Sequence, residues 1–87
     1  MNQATKKAVE IRGAQWKHAK SIAFKYGINS PVARSACRVW AIYVKKVEHL
    51  ANGGTEKSFE LPESAVIAEI AKEAEEYFAA RFPEVAR

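Results

Sequence analysis

Apolar residues recur at helical spacing over three stretches of the chain and alternate over one. Across residues 1–26, Ala4, Ala8, Ile11, Ala19, Ile22, Ala23 and Tyr26 share one arc of a helical projection, with Val9 and Trp16 at its edge. Lys6, Lys7, Lys17, His18, Lys20 and Lys25 take the opposite arc, while Arg12 and Phe24 fall out of phase. Gly13 admits a kink or a true break, because the apolar phase continues across it. From 31 to 51 the predicted inner arc is Val32, Ala36, Val39, Trp40, Tyr43, Val47 and Leu50, with Cys37 and Val44 at the edge. Arg34, Arg38, Lys45 and His49 form a basic stripe opposite. A third helix is predicted over 62–82, with Val66, Ile67, Ile70, Ala74, Tyr77, Phe78 and Phe82 inward and Glu69, Glu73, Glu75 and Glu76 outward. Pro83 stops it, and 84–87 is expected to fray.

Residues 55–61 break the helical rhythm. Ser58, Phe59, Glu60 and Leu61 alternate with a period of two, which predicts a short strand at 57–61. No other run can pair with it inside the chain, and unpaired strand groups are costly. Pairing with the same strand of a second copy is the physical answer, so a homodimer is expected. The other reading is an extended linker whose Phe59 and Leu61 dock on the core.

The junction between the first two helices carries the strongest local signals. Gly27 supplies the left-handed conformation that ends a helix, Ser30 can cap the next helix, and Pro31 sits where a missing N–H costs nothing. A tight turn with glycine first and an apolar residue second is the layout of a helix-turn-helix, here over 14–43. Ala23 is small enough for helices to cross, and Ile22, Tyr26 and Ile28 stand at the expected apolar positions. On this reading Ser30, Arg34, Ser35 and Arg38 face outward to DNA, with Asn29 beside them. Arginine can grip guanine or phosphate, and Ser and Asn can serve either. Lys17, Lys20, Lys25 and Lys45 would meet flanking phosphates. The bland alternative is an ordinary helical hairpin with a capped turn.

Composition adds an argument about size. Sixteen of the 87 residues are alanine and only two are leucine, so one domain with a modest core is expected, supported by a partner. Charge is segregated: residues 1–54 balance to +8 and residues 55–87 to −4. A basic half facing a polyanion is one reading, and mutual neutralisation across a helix interface is the other.

Catalysis and cofactors find little support. His18, Cys37 and His49 are the only candidates for a nucleophile, base or zinc ligand, and Cys37 and His49 lie about 120° apart on one helix. No enzyme activity, metal or cofactor is expected. The single cysteine fits a reducing, cytoplasmic setting, and the longest apolar run, 39–44, is too short for a membrane span.

The stretch from Ala23 to Tyr43, and Arg38-Val39-Trp40-Ala41 within it, resembles the recognition helix of the KorA/TrfB-type repressors of broad-host-range plasmids. Leu61-Pro62-Glu63 resembles the start of that family's dimerisation segment. The resemblance implies a dimeric repressor on a palindromic operator. Ser30, Arg34, Ser35 and Arg38 would then face the DNA and Phe59 and Leu61 the dimer partner, joined by Ile70 and Phe78 on the last helix. The expected protein is mainly α: a helix-turn-helix, one short strand and a C-terminal helix in one domain of a dimer, acting as a plasmid or phage DNA-binding regulator. A small helical inhibitor that binds a host protein is the competing expectation.

Overall fold

The computed structural model describes residues 2–87. Met1 lies outside the described residues. Three α-helices and one short 3-10 turn make up the fold: α1 Gln3–Tyr26, α2 Pro31–Ala51, α3 Ser64–Arg81 and η1 Pro83–Val85. Local chemistry fixes the ends. The Asn2 side chain caps α1 by accepting from the Thr5 N–H and hydroxyl, both at 2.8 Å. Gly27 leaves α1 at φ 90°, a region open to glycine. The Ser30 hydroxyl accepts from Ala33 N at 3.2 Å and donates to the Gly27 carbonyl at 2.7 Å. Both of its hydrogen-bonding roles are thereby used.

α1 runs through Gly13 as one helix, which excludes a true break there. Nothing approaches the position of a Cβ there. Gly13→Ala is therefore expected to stabilise the fold by about 0.5–1 kcal/mol, read as a rise of a few degrees in thermal midpoint.

α1 and α2 form an antiparallel hairpin along their lengths. Asn2 and Thr5 line one hollow with Leu50 and Ala51, and mid-helix Trp16 meets Trp40 at 4.8 Å between ring centroids. A helix-turn-helix crosses its helices at about 90–120°, which would carry residues this far from the turn apart. The layout over 14–43 is thus a hairpin with a capped turn. Its seam is alanine: Ala19, Ala23, Ala33 and Ala41 are fully buried. Small side chains let the two backbones approach, and this rotates α2 away from the valine-led phase. Ala33, Ala36, Cys37 and Ala41 face inward, while Val32 and Val39 are exposed.

α3 starts beside the middle of α2, where Arg38 donates to the Ser64 hydroxyl at 3.0 Å, and ends near the turn, where Phe82 meets Phe24. Ile67, Ala71, Ala74 and Phe78 face the hairpin. Phe78 is wholly buried and packs on Trp16 with centroids 4.5 Å apart, so it is a core residue and cannot serve a dimer interface. Ile70 is half-buried against the same core.

Residues 55–61 hold turns and irregular backbone, with no strand. Thr55 and Ser58 bond reciprocally, Thr55 N to Ser58 Oγ at 2.9 Å and Ser58 N to Thr55 Oγ1 at 3.1 Å. His49 Nε2 sits 2.8 Å from Ser58 Oγ, and its ring packs on Phe59 and on Gly54. Side-chain hydroxyls satisfy the backbone here, as these residues do when they compete with regular structure. The premise for pairing two copies through a strand is gone. Phe59 belongs to the His49 cluster, and Leu61 remains exposed.

The tail is ordered as well. Val85 is buried, its carbonyl accepts from Ile28 N at 2.7 Å, and the Arg87 carbonyl accepts from Asn29 N at 3.1 Å. The Arg87 guanidinium bonds the Phe24 carbonyl at 2.6 Å. Fraying was expected because the local sequence lacks helix signals, but long-range contacts hold the segment.

Candidate nucleic-acid interface

The basic stripe expected on α2 is largely engaged within the protein. Arg34 pairs with Glu75 at 3.5 Å, Lys45 with Glu48 at 3.1 Å and Lys46 with Glu56 at 3.5 Å. Arg34 and Arg38 line an open groove of about 730 Å³ between α2 and α3, together with Asn29, Lys72, Glu75 and Glu76. They point toward α3 because the Ala33–Cys37–Ala41 side of α2 faces the core and carries its flanks round with it. Ser30 is spent on the cap, and the backbone N–H of Asn29 is taken by the tail. Of the residues expected to read bases, Asn29 and Ser35 are exposed with side chains that bond no other described residue.

α1 differs. Its 24 residues carry Lys6, Lys7, Arg12, Lys17, Lys20 and Lys25 against Glu10 alone, a balance of +5. Among the described residues none of these six cations pairs with a carboxylate. Lys6, Lys7, Lys17 and Lys25 are exposed. Lys20 lies over the Phe82 ring at 4.6 Å and Lys25 over Tyr26 at 5.3 Å, contacts that leave their charge intact. From residue 11 to residue 47 the chain has no acidic residue at all. Of the α1 cations, Lys17, Lys20 and Lys25 are expected from the sequence as phosphate contacts. Lys6 and Lys7 extend the same surface, whereas Arg12 lies half-buried on the stripe of Thr5, Ala8, Ala19 and Ala23; the carboxylate-free run marks the part of this surface that carries Lys17, Lys20 and Lys25.

Other chemistry is sparse. Burial pushes the Cys37 thiol up to about 11, and Glu75 adds to the rise, so the sulfur stays protonated and unreactive at neutral pH. Among the described residues no three His, Cys, Asp or Glu side chains gather as a metal site, and no helix is long and apolar enough to cross a membrane. No family model, curated protein or solved structure matches this chain.

Proposed function

We propose that the protein binds nucleic acid and that the solvent face of α1 is the surface that meets the phosphate backbone. The carrying observation is the set of five α1 lysines, Lys6, Lys7, Lys17, Lys20 and Lys25, that no carboxylate among the described residues neutralises. From Lys6 to Lys25 the helix rises about 28 Å, the length of roughly eight base pairs. Cations spread over that length can displace several counterions at once, which is the main source of affinity for a polyanion. The acidic outer face of α3 turns the opposite charge to solvent and favours one orientation on the ligand.

Affinity for a short DNA, followed against salt, tests this. The log–log slope is expected to be about −3 or steeper. Replacing Lys7, Lys17 and Lys25 together with Gln should flatten it by roughly 0.9 for each lost phosphate contact. Replacing Arg34 and Arg38 with Gln should leave it nearly unchanged, since their groove already supplies Glu75 and Ser64 as partners. The reverse ranking would return the interface to α2. A repressor of the KorA/TrfB kind would add a second copy and base readout to this surface. Enrichment of a palindrome from a random duplex pool would support that form, and an unenriched pool would oppose it.

A further inference from the structure

The basic face of α1 borders a row of aromatic side chains that the core does not fully use. Trp16, Lys20 and Phe24 stand one above the other at i, i+4 and i+8, over a rise of about 12 Å. Across the seam, Tyr77 on α3 meets Trp16 at 5.3 Å, and Phe82, just past the end of α3, meets Phe24 at 5.3 Å. Tyr77 is 48% exposed and Phe24 40%. Lys20 sits over Phe82 between the two aromatic pairs, and Arg81 lies one turn beyond Tyr77 on the same side of α3. Phe24 is the residue out of phase with the inner arc of α1. A core role does not account for it, because its neighbours Ala19 and Ala23 already close the seam with α2. Glu73, one turn before Tyr77, marks the acidic end of the row.

We propose that this seam binds single-stranded nucleic acid, with unpaired bases stacking on Tyr77 and Phe24 and phosphates held by Lys17, Lys20 and Arg81. This rests on the nucleic-acid reading of α1 and narrows it. Two features carry it: exposed π-faces alternate with cations at helical spacing, and no carboxylate occurs on α1 beyond Glu10. A duplex hides its base faces and would use only the cations. An unpaired strand uses both, because every base offers a face to an aromatic ring. The aromatic stacking surface is sequence-tolerant, so little base preference is expected from it.

The test compares a labelled oligothymidylate of about twelve nucleotides with a duplex of the same length. Intrinsic tryptophan fluorescence provides a second readout, since both tryptophans lie in this aromatic cluster. The single strand is expected to bind about tenfold or more tightly and to quench that fluorescence. Tyr77→Ala and Phe24→Ala should each lose several-fold affinity for the strand and leave duplex binding within about twofold. Tyr77→Leu and Phe24→Leu keep apolar bulk without the ring, so they should lose as much. Unchanged helical circular dichroism and thermal midpoint in these exposed-site variants would confirm that the fold is intact. Equal affinity for strand and duplex, or indifference to all four substitutions, would overturn the stacking site and leave the electrostatic function standing. Absence of binding to either probe at low salt would remove both. A fluorescence change with phosphatidylserine vesicles but none with the oligonucleotide would assign the seam to lipid instead.

Discussion

Phe78→Ala is expected to lower folding stability by about 3–5 kcal/mol, a large part of what a domain of this size has to lose. Phe78 is the largest wholly buried side chain and packs on Trp16, with Ala71 and Ala74 on its own helix also buried. Alanine neighbours cannot swing in to refill the space, so the cavity term adds to the lost transfer energy. Urea unfolding followed by circular dichroism would show a lower midpoint with an unchanged slope. The same residue is the sharpest test of the interface expectation. If Phe78 serves only the fold of one chain, the loss is the same at low and high protein concentration, whereas removing a dimer contact would make the loss concentration-dependent. A loss below about 1 kcal/mol would contradict the packing described.

Gly27→Ala should cost about 3 kcal/mol, from two sources. The backbone there has φ 90° and ψ 147°, a conformation open to glycine and strained for other residues. A Cβ would also stand 2.8 Å from the Arg87 carbonyl oxygen, which is backbone and cannot rotate aside. The two parts separate in a cycle with a chain shortened after Phe82. In that background the tail clash is absent and only the backbone strain remains, so the cost of Gly27→Ala should fall by about half. An equal cost in both backgrounds would show that the tail does not press on the turn.

Helix existence and caps were legible in the residues because they depend on local chemistry. Gly27, Ser30 and Pro31 act within a few residues of themselves: Ser30 caps and Pro31 opens α2 as their types imply, while Gly27 ends α1 at positive φ but with ψ 147°, outside the left-handed helical region expected of it. The inner face of α2 was harder to read. Ranking side chains by hydrophobicity puts Val32 and Val39 inside, whereas close packing against α1 selects Ala33 and Ala41. That rotation also moved Arg34 and Arg38 from open solvent to the α3 groove. The alternation at 58–61 is too short to separate a strand from a hydroxyl-braced turn, and His49, nine residues from Ser58, decides it. The tail could not be anticipated locally, because its partners lie at Phe24, Ile28 and Asn29. The candidate site was half visible. Lysines on α1 stood out as a polar face, but the aromatic border needs α3 laid beside it.

The bond from Ile28 to Val85 also has a consequence for the order in which the chain folds. The hairpin of α1 and α2 closes only a four-residue loop, so its contacts are entropically cheap and form early. The turn it creates stays incomplete until a segment more than fifty residues away comes back to accept from Ile28 and Asn29. α3, which η1 follows directly, carries that segment back along the hairpin. The turn with the cheapest loop to close thus depends on the contacts most distant in sequence to satisfy its backbone donors.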